Sequence, residues 1–397
     1  SPPMKILHTS DWHLGRSFGP ISLGDAQGWF CDRLVEVARD EHVDLVVVAG
    51  DVYDRAIAPK EAIELFRDTV RRLRGAGAVV AAISGNHDGA DRVSPYDDLL
   101  DASGVYIRGG YEGVGRVVTH EFADGPLDLL LVPFLDPQGA PDGFGDGGEA
   151  TGAATGTDDA LERRRRRTHE SVLDAAFTEV RRNLRSPRSL AVAHAFVTGG
   201  SVSESERKLE VGGTGEVPVS LFDGFSYTAL GHLHRPQEIG RPTVRYSGTP
   251  MSYSFSEEHD KSMVLVDMDA AGTCRIDTVE LNVGRGVTTI RGTIDELLDP
   301  SRHPSARDRF VRAIVTDRGT VVDAKAKLED VYPHVVEIRL EPEGGSSQVA
   351  GPSVTIDRMT PAEAVVDFWT EVEGSHPDEA LLGLLHGAVA TAEGGAS

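Results

Sequence analysis

Five short polar clusters carry the residues of this chain that could do chemistry. Each cluster begins where an apolar run rich in β-branched residues stops. In chain order they are residues 11–13 (DWH), 50–54 (GDVYD), 85–88 (GNHD), His194 and 231–234 (GHLH). Loops at the carboxyl ends of strands in an α/β sheet meet at one edge, where functional sites are built. We therefore expect these clusters to lie together in space.

Each cluster taken singly has an ordinary structural explanation. A single histidine at a strand end is usually hydrogen-bonded, and an aspartate after a glycine is usually a turn residue. This interpretation is kept for the histidines outside the clusters, which are His8, His42, His120, His169, His259, His303, His334, His376 and His386. Within the clusters, imidazole and carboxylate groups occur together at successive strand ends, and this pattern predicts a metal site.

The donor types restrict the metal. The only cysteines, Cys31 and Cys274, are far apart in sequence, which argues against a thiolate zinc site and against a disulfide framework. Imidazole, carboxylate and an Asn carbonyl fit Mn²⁺, Fe²⁺ or Zn²⁺ better than Ca²⁺, and weakly disfavour Mg²⁺. The candidate ligands are too many for one tetrahedral ion, whereas two ions about 3.5–4 Å apart, bridged by a carboxylate, would use them all. Phosphoester hydrolysis is the expected reaction.

The apolar runs predict the elements that must position these clusters. Residues 5–9, 43–49, 78–83, 127–132, 189–193 and 226–230 predict buried strands of an α/β sheet. Apolar residues at helical spacing predict amphipathic helices over 59–74 and 161–184. Residues 138–160 are rich in Gly, Ala, Thr and Asp, and predict a mobile surface insertion in the first domain.

The second half of the chain has a different pattern. Residues 243–246, 262–268 and 275–281 predict antiparallel strands that complete a first domain over 1–283. Strands at 287–291, 310–316 and 334–340 with a helix around 322–328 predict a smaller α+β domain over 284–341. A linker is expected over 342–352, and amphipathic helices are expected in a tail over 353–397.

Length and charge set further bounds. A chain of 397 residues exceeds the usual size of one core, and 40% hydrophobic with 26% charged residues is ordinary globular usage. The net charge of −23 argues against a polyanionic partner, although residues 161–210 hold eleven basic and seven acidic residues.

The five arginines at 163–167 are either a solvated helix end or a phosphate contact. The absence of a long apolar run and of a signal-peptide pattern predicts a cytoplasmic protein.

The five clusters, in this order, resemble those of the calcineurin-like metallophosphoesterases. The resemblance is closest to the SbcD family of bacterial nuclease subunits, which are related to the double-strand-break repair nucleases. It rests on residues 4–14 (MKILHTSDWHL), on GDVYD, GNHD and GHLH, and on residues 246–251 (YSGTPM). The implied fold class is α/β: a two-sheet metallophosphoesterase sandwich flanked by helices, with a smaller α+β capping, DNA-recognition domain and a helical C-terminal tail.

The resemblance also implies residue roles. Asp11, His13 and His234 would hold a first divalent ion, and Asn86, His194 and His232 a second, with Asp51 bridging them. His87 would be the catalytic histidine that contacts the scissile phosphate, and Asp88 would orient its ring. Mn²⁺ is the expected ion, with Mg²⁺, Fe²⁺ or Zn²⁺ as alternatives.

The implied function is a Mn²⁺-dependent DNA nuclease, a 3′–5′ double-strand exonuclease and a single-strand and hairpin endonuclease. It would act with an SbcC-type ATPase in DNA end processing, replication, repair and recombination, as a homodimer within a heterotetramer associated with the nucleoid. The coiled coil of the ATPase would bind the tail through Val365, Phe368, Trp369, Leu381, Leu384 and Leu385. The alternatives are a small-molecule phosphodiesterase or phosphatase of the same superfamily, or a non-catalytic scaffold for an ATPase.

Overall fold

Strands and helices alternate along most of the first domain. The structure, a computed structural model, describes residues 2–93, 97–146, 166–206, 215–319, 321–342, 348–349 and 381–382. The strands are β1 (Met4–Thr9), β2 (Ser17–Phe18), β3 (Ile21–Ser22), β4 (Leu45–Ala49), β5 (Val79–Ile83), β6 (Val105–Arg108), β7 (Val117–Phe122), β8 (Gly125–Val132), β9 (Ser189–His194), β10 (Phe196–Val197), β11 (Glu216–Val217), β12 (Tyr227–Gly231), β13 (Gln237–Ile239), β14 (Arg241–Tyr246), β15 (Lys261–Met268), β16 (Cys274–Leu281), β17 (Val287–Gly292), β18 (Phe310–Val315), β19 (Val335–Leu340) and β20 (Gln348–Val349). The α-helices are α1 (Gly24–Asp40), α2 (Lys60–Gly75), α3 (Ala90–Val93), α4 (Asp97–Asp101), α5 (His169–Arg182), α6 (Ile294–Leu297) and α7 (Ala324–Val331).

Two six-stranded sheets form the larger domain. The first has the order β16-β15-β1-β4-β5-β6, and the second has the order β13-β14-β12-β9-β8-β7. In each sheet four adjacent strands are parallel: β1, β4, β5 and β6 in the first, and β8, β9, β12 and β14 in the second. Antiparallel strands lie at the edges of both sheets. The carboxyl ends of the parallel strands therefore open into loops that can share one site.

Helices cover the outer face of each sheet. Ile6 belongs to the apolar layer between the sheets, whereas its neighbour Leu7 packs in the outer layer with Phe30 of α1, because successive side chains of a strand point to opposite faces. On the far side, Phe177 of α5 packs against Ala191 of β9. Burial on both faces explains why the strands are continuous apolar runs. The predicted fold class, a two-sheet α/β sandwich flanked by helices, is confirmed.

The bounds of the predicted strands agree with the structure to within about two residues, but other features differ. The sequence pattern predicts an antiparallel β14; this strand pairs antiparallel with β13 but parallel with β12. The sequence pattern does not predict β6 and β7, nor the short strands β2, β3, β10, β11, β13 and β20. In the expected mobile insertion, the described part, 138–146, packs on the domain: Ala140 is buried and Phe144 meets Tyr111 edge to face. Residues 147–160 lie outside the described residues, and the mobility of the insertion stays a prediction.

The arginine run at 163–167 ends in a structural residue. Arg167 is buried, its Nε donates to Asp146 Oδ1 at 2.6 Å, and its Nη1 donates to the carbonyl of Ala140 at 2.6 Å. A buried guanidinium that is satisfied in this way is neither a solvated helix end nor a phosphate contact. Both interpretations are therefore wrong for Arg167, and residues 163–165 lie outside the described residues.

The smaller unit is a four-stranded sheet in the order β17-β18-β19-β20, with β17, β18 and β19 parallel. Its own core includes Ile290, Leu297, Val311 and Leu328. Phe310 of β18 stacks on Phe18 of β2, with 4.9 Å between ring centroids. The smaller unit therefore packs on the loop that follows β1.

Most of the tail lies outside the described residues. The expected partner-binding positions Val365, Phe368, Trp369, Leu384 and Leu385 are all outside them, and Leu381 is the only one described, as a half-buried helical residue. Among the residues that the structure describes, no helix has the length and apolarity needed to cross a membrane.

Candidate metal centre

The five clusters meet at one edge of the two sheets. Asp11 and His13 follow β1, Asp51 follows β4, Asn86 and His87 follow β5, His194 ends β9, and His232 and His234 follow β12. The loops after β1 and β4 run side by side, because the backbone amide of Asp11 donates to Gly50 O and that of His13 donates to Asp51 O, both at 3.0 Å. The structure thus brings together every predicted ligand.

The backbone at this edge is unusual. Among the described residues, six that are not glycine have a positive φ, and four of them are Asp11 (53°), His13 (46°), Asp51 (49°) and His232 (107°). Such conformations cost about 1–3 kcal/mol each and persist where the surrounding structure imposes them. A Cβ on Gly85 would lie 2.2 Å from Asp51 Oδ1, so this close approach requires glycine.

One group of donors surrounds His13. Ligand atoms of Asp11, His13 and His234 lie within 4.8 Å of one another, and all three residues are buried. The Nε2 atoms of His13 and His234 face each other at 3.3 Å. Burial lowers the pKa of both rings below the ordinary histidine value, so each is neutral near pH 7. Neutral imidazoles that converge on one point have the chemistry of metal ligands.

A second group surrounds Asn86. Its Oδ1 lies 2.9 Å from His194 Nε2 and 3.2 Å from His232 Nδ1. The other ring nitrogen of His194, Nδ1, lies 2.9 Å from the carbonyl of Ala49 and so donates to it, which fixes the tautomer. Burial holds the pKa of His232 well below the ordinary value.

Asp51 lies between the two groups. Its Oδ2 is 3.6 Å from His13 Nε2 and 3.5 Å from His194 Nε2, while its Oδ1 accepts a hydrogen bond from the backbone amide of His87 at 2.8 Å. Burial alone would raise the pKa of Asp51, but His194 and His13 hold it well below the ordinary value. For His194, burial acts to lower the pKa, but Asp51 raises it to about 9.

Asp11 completes the electrostatics of the site. Burial, followed by the charge of Asp51, raises the pKa of Asp11 well above its ordinary value, although His194 acts in the opposite direction. The Asp11 carboxylate also accepts from the backbone amide of His232 at 3.0 Å. Two buried carboxylates in one site repel each other, and a divalent cation between them relieves this repulsion. The donor set therefore fits one or two divalent ions.

His87 lies at the rim of this site and is half-buried, as is its neighbour Asn86, whereas the other candidate ligands are buried. Its Nδ1 is 3.0 Å from the backbone carbonyl of Asp54 and donates to it. Asp88 was expected to orient this ring, but its carboxylate accepts from the backbone amides of Gly85, Tyr53 and Val52 at 2.8, 2.8 and 3.1 Å. We correct that expectation: Asp88 fixes two loops, and the Asp54 carbonyl orients the ring.

Sequence reasoning missed the residues that support these side chains. Ser10 Oγ donates to Asp11 Oδ2 at 2.5 Å, and Glu206 Oε1 accepts from the backbone amide of His234 at 2.7 Å. Glu257 Oε1 lies 3.3 Å from His234 Nδ1. Burial acts to raise the pKa of Glu257, but Lys261 and His234 hold it well below the ordinary value. Ser10 directly precedes the first cluster, whereas Glu206, Glu257 and Lys261 lie outside the clusters, where no local pattern indicates them.

Asp54, which ends the GDVYD cluster, forms a third group of possible ligands with His13 and His87. Its Oδ1 is 3.5 Å from His13 Nδ1 and accepts from Arg16 Nη1 at 3.1 Å. The Asp54 carboxylate therefore links Arg16 to the site. In contrast, His8 is a core histidine, as expected: its ring lies 3.0 Å from Tyr227 Oη and 3.1 Å from Leu230 O.

Two family models and several known proteins match this chain. Residues 4–236 match the calcineurin-like phosphoesterase family, and residues 283–373 match a family described as the type 5 capsule protein repressor C-terminal domain. The SbcD subunit of nuclease SbcCD from Staphylococcus saprophyticus is 26% identical over 376 residues, which are 94% of this chain and 94% of that protein. The corresponding protein of Staphylococcus epidermidis is 26% identical over 338 residues, 84% of this chain and 85% of that protein.

A solved structure of a dimetal phosphatase from Danio rerio is 14% identical, covers 72% of this chain and 100% of that chain, and has a TM-score of 0.40. The predicted resemblance to SbcD proteins and the predicted enzyme class, a metal-dependent phosphoesterase, are confirmed by the family match and the curated relatives. The family match at 4–236 covers more than half of this chain, and the chain therefore belongs to the calcineurin-like phosphoesterase family.

Proposed function

We propose that this chain is a DNA nuclease that hydrolyses phosphodiesters with two divalent ions, which we take to be Mn²⁺. It would act both as a 3′–5′ double-strand exonuclease and as a single-strand and hairpin endonuclease. One observation carries the proposal. Asp51 Oδ2 lies 3.6 Å from His13 Nε2 and 3.5 Å from His194 Nε2, midway between two groups of donors. A carboxylate in that position is suited to bridge two ions.

The candidate ligands fall into two sets. Asp11, His13 and His234 would hold one ion, and Asn86, His194 and His232 the other, with Asp51 shared between them. Ions held there would supply Lewis-acid activation of a phosphoryl group and of the attacking water. The protein keeps the donors dry and fixed in orientation, so little reorganisation is needed when substrate binds.

His87 is placed to act on the substrate directly. Since Nδ1 donates to the Asp54 carbonyl, Nε2 is the ring atom that can meet a phosphate oxygen. In the protonated ring this atom donates a hydrogen bond to the developing negative charge, or a proton to the leaving 3′ oxygen. Its half-buried position at the rim is suited to that contact.

We further propose that an SbcC-type ATPase is the partner, that the tail over 353–397 binds the coiled coil of that ATPase, and that the chain forms a homodimer in this complex. The support is the likeness to SbcD subunits of nuclease SbcCD, which extends over 94% of this chain. A smaller domain over 284–341 would then lean over the site and restrict the shape of DNA that enters, in keeping with the contact between Phe310 and Phe18.

A substrate comparison tests the proposal. The purified chain is incubated with hairpin DNA, with a linear duplex labelled at its 3′ ends and with a cyclic nucleotide, each with Mn²⁺ or with EDTA. We expect cleavage of both DNA substrates that EDTA abolishes, and little hydrolysis of the cyclic nucleotide. Faster hydrolysis of the cyclic nucleotide would favour a small-molecule phosphodiesterase, and cleavage that survives EDTA would contradict metal catalysis. Two anomalous-scattering peaks at the manganese edge beside Asp51 would support the two-ion site.

A further inference from the structure

A buried ion pair lies directly behind one of the candidate ligands. Glu257 is fully buried, and Lys261 is almost fully buried, with a side-chain exposure of 7%. Lys261 Nζ donates to Glu257 Oε2 at 2.5 Å and to Thr249 Oγ1 at 2.7 Å. Neither charge reaches solvent. Because both charges lose their hydration, such a pair adds little net stability compared with apolar residues of the same size.

The other oxygen of Glu257 faces His234. Ser205 Oγ donates to Glu257 Oε1 and lies 2.6 Å from His234 Nδ1, and Oε1 itself is 3.3 Å from that nitrogen. A hydroxyl has a single proton, and the Ser205 proton is given to the carboxylate. Ser205 can therefore only accept from His234, so the proton of the His234 ring must be on Nδ1.

This proton position determines what the ring presents on its other side. With the proton on Nδ1, the Nε2 atom of His234 carries the lone pair, and this atom faces His13 Nε2 at 3.3 Å. The backbone of His234 is held independently, because its amide donates to Glu206 Oε1 at 2.7 Å and its carbonyl accepts from Thr249 N at 3.1 Å. The contacts at Nδ1 are thus the ones that set the rotation and the tautomer of the ring.

We propose that Glu257, held by Lys261 and acting through Ser205, is a positioning residue that fixes His234 in the tautomer and orientation required of a metal ligand. Carboxylates in this relation to a ligating histidine typically change metal affinity by about 10–100-fold. The inference rests on the metal-dependent function proposed above. It means that metal binding also depends on a residue outside the five sequence clusters. That residue, Glu257, lies in the segment that begins at residue 252.

The test uses full-length variants that leave no buried charge unpaired. The first combines Glu257→Leu with Lys261→Met, which keeps the volume and removes the acceptor. The second combines Glu257→Gln with Lys261→Met, which restores an oxygen acceptor without the charge. The control is Glu258→Gln, a change at the exposed neighbouring glutamate. Calorimetric titration with Mn²⁺ gives the affinity of each ion, and ¹⁵N NMR of the histidine rings gives the tautomer of His234, assigned with a His234→Gln variant.

We expect the first variant to bind one of two ions about 10–100-fold more weakly, with the second ion and the thermal unfolding midpoint nearly unchanged, and with His234 no longer confined to the Nδ1–H tautomer. The second variant should recover part of both losses, and Glu258→Gln should behave like the wild type. Wild-type affinity and tautomer in the first variant would overturn the inference, as would an equal loss in Glu258→Gln. A wild-type chain that binds no Mn²⁺ would contradict the proposed function, whereas the tautomer, measured without metal, would still decide the role of Glu257.

Discussion

The Arg312 guanidinium of the smaller domain lies over the Phe255 ring of the larger one, with its Cζ 4.5 Å from the ring centroid. Arg312 Nη2 also donates to Glu204 at 3.2 Å. Phe255 is two residues before Glu257, and Glu204 is the neighbour of Ser205, so Arg312 touches both segments that hold His234. The smaller domain is therefore in contact with the surroundings of a candidate ligand.

Arg312→Ala should loosen this interface. We expect amide hydrogen exchange across 253–261 and in β18 to become roughly tenfold faster. This corresponds to a fall of about 1.4 kcal/mol in the free energy of local opening, which is the size expected for the loss of a partly desolvated cation–π contact. Arg275→Ala removes an arginine whose side chain is 76% exposed and serves as the control. If both variants exchange at the wild-type rate, the Arg312 contact does not hold the two domains together.

His87→Ala should separate chemistry from metal binding. We expect the cleavage rate of hairpin DNA to fall about 10²–10⁴-fold, which is the usual contribution of a general acid or base. Mn²⁺ binding, measured by titration calorimetry, should persist because the buried donors are intact. His42→Ala, at an exposed position outside the site, is the control. An unchanged cleavage rate would remove His87 from the mechanism.

Asp124 should make stability depend on pH. Hydrogen bonds from Arg188, at 2.5 and 2.8 Å, lower the pKa of Asp124 below its ordinary value of 3.8. A carboxyl whose pKa is lowered by folding contributes its stability above the ordinary pKa, and the contribution is lost as the pH falls through the lowered value. Asp124→Asn should cost about 3–5 kcal/mol at pH 7, because it leaves the buried Arg188 without its counter-charge.

The loss of stability in Asp124→Asn should shrink as the pH is lowered below about 4, since the wild type then loses the same ion pair with Arg188. Urea unfolding of both proteins from pH 7 to pH 3 measures this difference. The control is Asp223→Asn, because Asp223 pairs with Arg241 at the surface and its side chain is 65% exposed. That change should cost less than about 1 kcal/mol. A loss for Asp124→Asn that does not vary with pH would contradict the assignment.

Deletion of residues 353–397 should abolish binding of an SbcC-type ATPase while sparing Mn²⁺-dependent cleavage of simple DNA substrates. All of the candidate ligands lie between Asp11 and His234, outside the deleted segment, so we expect metal-dependent cleavage to persist. Co-purification of the two proteins, with and without the tail, measures the first effect, and the nuclease assay measures the second. A truncated chain that still forms the complex would show that the ATPase docks elsewhere.

The strands and the candidate donors could be predicted because both follow from local patterns. Strand β5 was expected at 78–83 and is found at Val79–Ile83, since a strand buried on both faces needs an uninterrupted apolar run. Asn86 and His87 follow it directly, so their place at the sheet edge comes with the strand. Strand β7, at the edge of the second sheet, was harder to predict, because its side chains are only half-buried or exposed and its pattern is weak.

Contacts between distant segments could not be predicted in this way. Glu257 and His234 come together because β14 returns parallel to β12, a pairing that the sequence pattern did not indicate. The orientation of the His87 ring by a backbone carbonyl, that of Asp54, is also invisible in a sequence, because every residue has a carbonyl. The tertiary arrangement alone determines which groups support a ligand.

The left-handed backbone at Asp11, His13 and Asp51 has a consequence for the protein as a whole. Residues other than glycine in this conformation disfavour the folded state, and Asp11 and Asp51 repel each other as well. We therefore expect these loops to open more easily in the metal-free chain, and any ion that binds only the folded form would shift the balance back towards folding. We expect chelation to expose the loops after β1 and β4 to proteases before the rest of the sandwich, so that loss of metal also shortens the lifetime of the protein.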